Sequence, residues 1–552
     1  MTATKVRSST PTWRTYALLL SLLVLVAAPL LSVLLTAVFG YRDEPAALAS
    51  LIEPGMLRVV GNTVWLSLLV VLFATLLAAP LALLMSWTSL RRHSWIDVVV
   101  MVPFMTPPFA ASMAWMDFTR LGGVASMLFG DTVGQFGHDF IYSVWGMALI
   151  MACEQFTFLY LILRTALSTL PASTLEMASV VGASPWHRAR SIIVPMLVGP
   201  YSLGVLIVFI RSAGEFGTPV TLGNAIGYQV LVSSIHQDVT VSPLSFSQAA
   251  ATSSVLFTLG VLIWGLQQWV SRKDLTSGGR VSRLYTVALQ ARGKIGAWLV
   301  VAGIFMVSVL IPYFSIVLGS MTILRSEPPG LDNLTFDYFG IVLSKSSAQE
   351  ALTNSAFLGF AGATLAVLLG LAVTLLTLRN PKKTARTTDF LAIAPDTVPG
   401  IVMAVGFILL WNAPWLPITP YGTGWVLILG YAGLFLPMVT QNIKTSASAV
   451  SPTVLEAASV AGASTWHIFR RVQLPLMLPG IIAGWLLALL IGFRELVMSS
   501  LIRPADMQLL SPWIMNVFDQ GQRAEAMAMT LIGVLSSTLI LVLVTYWQRR
   551  RI

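Results

Sequence analysis

Twelve apolar runs govern what this chain can become. They lie at residues 16–39, 64–87, 98–115, 142–163, 201–216 and 249–269, then at 295–318, 357–378, 390–411, 425–439, 478–493 and 527–547. A helix needs about 20 apolar residues to cross a bilayer, where only helices and closed barrels satisfy their own backbone polar groups. The expected fold class is therefore all-α, a polytopic membrane protein with about 12 transmembrane helices. Charged residues make up only 10% of the chain, against about 25% in soluble proteins, which excludes a string of soluble domains. The first run follows Lys5, Arg7 and Arg14 but is too long for the apolar region of a signal peptide, so it is expected to be a retained span. The single cysteine, Cys153, lies inside an apolar run and can form no internal disulfide.

Charge orients the runs. If the N-terminus, every second loop and the C-terminus share a side, that side holds 24 of the 33 Lys/Arg and five of the 23 Asp/Glu. An excess of Lys and Arg marks the cytoplasmic side, so both termini are expected in the cytoplasm. The overall charge of +10 then follows from topology and implies no nucleic-acid partner. Residues 270–294 hold six of those basic residues together with Ser-Gly-Gly, and read as a cytoplasmic linker between a first half, 1–269, and a second, 295–552.

The halves are repeats. LEMASVVGASPWHRARSIIVP at 175–195 and LEAASVAGASTWHIFRRVQLP at 455–475 match at offset 280 without a gap, with 12 of 21 positions identical. Earlier in each half the offset is 292: Asn62-Thr63 matches Asn354-Ser355, Asp97 matches Asp389, Pro103 matches Pro395 and Pro107 matches Pro399. The change of 12 residues falls in the loop after the third span, longer in the first half. An even number of spans per half keeps the two copies parallel. The strong match lies in a cytoplasmic loop, where membrane composition alone cannot produce similarity.

The local chemistry of that loop, 173–195 and 453–475, specifies a helix, a sharp break and a second helix. Ser173 with Glu176, and Thr453 with Glu456, have the spacing of a capping box. Gly182 and Gly462 stand where a left-handed residue ends a helix. Ser184-Pro185 and Ser464-Thr465 restart one, and Pro195 and Pro475 are expected to close the unit. Small residues, Ala178, Ser179 and Ala183 with their copies Ala458, Ser459 and Ala463, leave a face that another surface can approach. A capped connector that binds nothing is the plainer reading; repetition at one topological position, including Trp186-His187 and Trp466-His467, speaks against it.

E-M-A-S-V-V-G and E-A-A-S-V-A-G, each with a proline thirteen residues past the glycine, resemble the EAA signature of ABC-importer permeases. The first copy departs at Met177, where the family has Ala, and at Ala189, where the second copy has Phe469. The resemblance implies the type I importer permease fold, in the bacterial inner membrane. It implies that each loop docks on one copy of a cytoplasmic ABC ATPase, through Glu176, Ala178, Gly182, Ala183 and Trp186 and through Glu456, Ala457, Ala458, Gly462, Ala463 and Trp466. Two ATPase copies, an extracytoplasmic substrate-binding protein and the lipid bilayer are the implied partners. ATP and Mg would sit on the ATPase, with no cofactor on this chain. The sequence agrees in containing no G-x-x-x-x-G-K-[ST] phosphate loop.

Ionisable residues at membrane depth are costly and mark pathways or partners. Glu215 and Glu495 align at offset 280 near the ends of the fifth and eleventh spans, with Arg211 and Arg494 close by as expected ion-pair partners. Glu154 and Asp396 fall inside the fourth and ninth spans without counterparts in the other half. These six are the candidate pathway or gate residues; no metal site is expected from four scattered acids. The fused layout, with RSAGEFGTP at 211–219 and FREL at 493–496, resembles ferric-iron importer permeases. Polyamine, thiamine and phosphonate importers share much of this pattern. A twelve-span secondary transporter would need no repeated loops, and an intramembrane enzyme would cluster its histidines, which here are scattered.

Overall fold

The computed structural model describes residues 13–170, 172–273, 285–287, 289–327, 330–379 and 383–551. Within the linker read at 270–294, residues 274–284 and 288 lie outside the described residues, as do the basic residues Lys5, Arg7, Arg280, Arg283 and Lys382. Among the described residues the chain is helical, and two isolated β-bridges are its only extended pairings.

Among the described residues ten helices are long and apolar enough to cross a membrane: Thr15–Phe39, Pro54–Trp87, Val144–Thr169, Trp186–Ala213, Phe246–Ser271, Ala291–Gly319, Ser346–Leu378, Gly424–Ser448, Thr465–Phe493 and Arg523–Val544. The third and ninth spans are broken pairs, Trp95–Pro103 with Pro108–Phe118 bent by 88° and Thr384–Thr397 with Gly400–Trp411 bent by 114°. The cause is repeated. Thr106 and Val398 each precede a proline and are held extended, at ψ 138° and 124°, because the proline ring disfavours the helical region for its predecessor.

The fifth and eleventh spans are longer than expected. Prolines 195 and 475 do not close the preceding unit; the helices Trp186–Ala213 and Thr465–Phe493 run through them. Each is preceded by one π-helical stretch, Ala189–Ile193 or Phe469–Gln473. Proline lacks a donor and its ring meets the carbonyl four residues back, here Ser191 or Arg471, and a widened π turn moves that carbonyl aside. The same device stands in the first span of each half, at Leu23–Ala27 before Pro29 and Met306–Leu310 before Pro312.

The first span of each half is seated in the other half. Ala28–Phe39 packs on Gly400–Trp411, so closely that a Cβ on Gly406 would stand 2.5 Å from the Pro29 carbonyl oxygen. The seventh span packs on the first half in return: Ser315 Oγ donates to the Ala114 carbonyl (2.8 Å), Tyr313 and Thr106 share a hydrogen bond (2.6 Å), and Trp298 stacks on Trp95.

Repeated contacts also explain repeated residues. Asn62 and Asn354 donate to the carbonyls of Gln229 and Gln508, while Thr63 and Ser355 accept from the amides of Leu231 and Leu510, both at 2.8 Å. Each pair ties its second span to the chain returning after the fifth. The longer loop of the first half forms two short helices, Val124–Phe129 and Asp131–Ile141.

Replacing Gly406 by Leu should push the first span off its seat and destabilise the chain by about 1–3 kcal/mol, as overpacking does. Gly303→Ala, where a Cβ meets nothing within 4 Å, should leave the thermal unfolding temperature in detergent unchanged. Equal unfolding temperatures for both variants would refute the close seating.

Candidate functional site

The repeated loops are built as two copies of one shape. Their first helices are Ala172–Val180 and Pro452–Val460. The capping boxes expected at Ser173 and Thr453 are not used. Both residues lie inside the helix, and in the second copy Ser451 is the N-cap, with Pro452 supplying the favoured first position. Gly182 and Gly462 are left-handed as expected, at φ +82° and +80°. The amides of Gly462 and Ala463 donate to the carbonyls of Ser459 and Ala458, and Gly182 and Ala183 repeat this with Ser179 and Ala178. This is the double hydrogen bond of a Schellman turn. Ser184 and Ser464 then cap the second helices, accepting from the amides of His187 and His467 at 3.2 and 3.3 Å.

The result presents apolar side chains to solvent at the bundle end bearing the loops. Val180 and Val460 are 86% and 88% exposed, and Trp186 and Trp466 74% and 66%. Glu176, Glu456 and Ala457 are also exposed, while Ala178, Ala183, Ala458 and Ala463 are half-buried at the turn. Two exposed apolar knobs of identical form suit a partner with two equivalent grooves.

An ion pair beside each loop escaped the sequence reading. Asp97 pairs with Arg164, which Tyr160 also engages, and Asp389 pairs with Lys444. Each joins the start of a third span to the end of a fourth, where the loop begins. The signal was present but divided between registers: the aspartates match at offset 292 and the cations at 280.

The pathway candidates are arranged differently from the expectation. Glu215 does not pair with Arg211. Its carboxylate accepts from the amides of Gly217 (2.7 Å) and Thr218, and Arg211 lies over the Phe158 ring. Glu495 likewise accepts from the amides of Met498 and Ser499, both at 2.9 Å, and from the Ser499 hydroxyl. Each glutamate thus caps the short helical segment that follows it, whose first-turn amides have no preceding turn to supply carbonyl acceptors.

Glu154 and Asp396, which have no sequence counterparts, instead face arginines of the opposite half. Glu154 lies within electrostatic reach of Glu215 in its own half and of Arg494 in the other, and Arg211 within reach of Asp396. Glu154 is buried and lines a small cavity with Thr106, Cys153, Ser308 and Tyr313, drawn from both halves. One of its carboxylate oxygens has no hydrogen-bond partner there. Asp396 and Arg211 keep accessible surface. Among the described residues no three His, Cys, Asp or Glu side chains converge as metal ligands would.

A second charge cluster lies at the bundle end opposite the loops. Buried Asp117 pairs with Arg325, with Arg120 and Arg523 at 3.8 and 3.9 Å. It joins the third span to the seventh and twelfth. Asp117 and Arg120 stand three apart, but nothing in the spacing announces Arg325 and Arg523, which come from distant segments.

Comparison with known proteins agrees with this repeated layout. Residues 75–273 and 362–552 each match the family described as binding-protein-dependent transport system inner membrane component. The chain is 23% identical over 495 residues to a ferric transport system permease protein of Actinobacillus pleuropneumoniae, covering 89% of this chain and 71% of that one. It is 25% identical to an Fe(3+)-transport system permease protein of Haemophilus influenzae, covering 88% and 89%. A putative 2-aminoethylphosphonate transport system permease protein of Salmonella typhimurium is 25% identical over 45% of this chain and 93% of its own length.

Gly462→Pro should abolish the Schellman turn, since proline cannot reach φ +80°, while Gly462→Ala should cost about 1–2 kcal/mol locally. We expect loss of ATPase co-purification and of uptake with normal membrane insertion, more severely at Gly462 than at Gly182. Wild-type behaviour in both proline variants would remove the loops from the mechanism. Glu495→Ala should lower stability by about 1–2 kcal/mol, as loss of a helix cap does, and Glu495→Gln by less; thermal unfolding of the purified chain checks the order.

Proposed function

The chain belongs to the inner membrane components of binding-protein-dependent transport systems, as a fused two-half ABC importer permease, and we propose that its cargo is ferric iron. The observation that carries this is coverage: the ferric permeases are similar across both halves, over 88–89% of the chain. The 2-aminoethylphosphonate permease is similar over one half's length and supports the second reading, a phosphonate cargo. The pathway residues fit a hard cation better. Carboxylate and hydroxyl oxygens suit such ions, and Glu154 brings an unsatisfied carboxylate oxygen to a cavity edged by Thr106, Ser308 and Tyr313.

In this reading an extracytoplasmic binding protein delivers the cargo to the bundle end opposite the loops. Two copies of a cytoplasmic ATPase, carrying ATP and Mg, seat on the exposed knobs around Trp186 and Trp466, one per half. The excess of Lys and Arg supports a cytoplasmic position for the loops and both termini. The Schellman turns fix the angle between the two helices of each loop, so a push on the first is passed to the second. That second helix is continuous with the fifth or eleventh span, whose far end leads into Glu215 or Glu495. Movement at the ATPase thereby reaches the segments capped by these glutamates and the charges facing each other across the halves. Glu154, Arg211, Asp396 and Arg494 line or gate the path there.

Purified chain alone should hydrolyse no ATP. Reconstituted in vesicles with its ATPase and binding protein, it should take up ferric iron only when ATP is supplied to the ATPase. Hydrolysis by the chain alone would overturn the division of labour. Uptake of 2-aminoethylphosphonate in place of iron would overturn the cargo.

A further inference from the structure

The two coupling loops are alike in shape but are braced differently. In the second, Phe469 packs its ring on Trp466, with centroids 5.6 Å apart. The first loop has Ala189 at that position and Trp186 gains no such neighbour from its own helix. Its support comes from elsewhere in the chain. Arg188, in the same short helix as Trp186, donates through Nη1 to the Tyr285 hydroxyl at 3.2 Å. Tyr285 belongs to the segment joining the halves and is itself fixed. Its ring meets Trp87 edge to face at 5.5 Å, and the amide of Val287 donates to the Trp87 carbonyl at 2.7 Å. Trp87 is the buried last residue of the second span.

None of these residues is repeated. Ile468, without a polar group, stands in the second loop where Arg188 stands in the first, and Arg379 matches Trp87 at offset 292. The side that lost the internal aromatic contact is the side that the joining segment reaches. We infer that Tyr285 is a positioning residue for the first coupling loop, linking it to the second span and replacing from outside the contact that Phe469 makes inside the second loop. The inference rests on the reading of both loops as ATPase-docking elements. It gives the joining segment a role in transport beyond holding two halves in one chain.

The test uses the full chain and two readouts. Hydrogen–deuterium exchange reports bracing without any ATPase. Tyr285→Phe, which keeps the ring and loses the bond to Arg188, should raise exchange over 172–190 by about two- to tenfold, the weight of one hydrogen bond. Tyr285→Ala should raise it further, and neither should alter 452–470. Adding Ala189→Phe to Tyr285→Ala, which restores the aromatic pair of the second loop, should bring exchange back toward wild type. In the reconstituted complex the same variants should lower ferric iron moved per ATP hydrolysed, with the amount of co-purified ATPase unchanged, and Ala189→Phe should rescue that ratio. Unchanged exchange over 172–190 in Tyr285→Ala overturns the brace. Raised exchange with an unchanged transport ratio, or with no rescue by Ala189→Phe, overturns the positioning role. Failure of the docking reading itself shows separately, as wild-type ATP-driven uptake by Gly462→Pro.

Discussion

Backbone hydrogen bonding in a medium without water is the constraint on which this structure depends. In hydrocarbon an amide or carbonyl left unpaired costs several kcal/mol, so irregular backbone survives only where protein groups take up what the helix releases. The chain breaks its helices repeatedly, and several of the breaks have such a provision. Ahead of Pro29, Pro195, Pro312 and Pro475 the helix widens by one π turn rather than ending. At the break before Pro107 the Thr106 hydroxyl donates to the Val102 carbonyl, which the Thr106 amide no longer reaches, and is met by the Tyr313 hydroxyl from the other half. Beyond the fifth and eleventh spans, Glu215 and Glu495 accept the amides of the next segment. These carboxylates are pathway candidates and structural caps at once, since both stand where regular helix stops.

The repeat was the most legible part of the sequence, and the parts it misled on have physical reasons. Gly182 and Gly462 were readable because one backbone conformation favours one residue type, and their positive φ follows from that. The capping boxes were misread by two positions because Ser451-Pro452 offers a better start than Thr453, with proline at the position that needs no donor. Pro195 and Pro475 looked like terminators because propensity reflects helices in water. A packed bundle tolerates proline where the preceding turn can widen. The ion pairs Asp97–Arg164 and Asp389–Lys444 were hidden by a change of offset between their members. The facing of Glu154 with Arg494 could not be read at all, since it depends on how two halves meet.

Sequence symmetry and structural symmetry are not the same in this chain. The outer ties of Asn62 and Asn354 are duplicated bond for bond. The Asp117 cluster has no such copy: at offset 292 Leu409 replaces Asp117 and Asn412 replaces Arg120, and the Asn412 side chain donates to the Ile408 carbonyl of its own helix. Fusion into one polypeptide permits this divergence, since each half is always paired with the same neighbour. The frame stays symmetric where both halves do the same work, and departs from symmetry at one end of the bundle and in the bracing of one loop.

The exchange of first spans carries a consequence for biosynthesis. Thr15–Phe39 leaves the ribosome long before Gly400–Trp411, so its seat is made only after the rest of the first half and the joining segment have been inserted. Until then the span sits in lipid with Gly406 absent from beneath Pro29, and the first half offers an empty place that the seventh span will fill. Neither half can complete its packing alone, so the nascent chain stays open until the spans of the second half are in place. Quality-control proteases that sample unpacked membrane helices would meet a truncated product in that open state, which couples survival of the permease to synthesis of both halves.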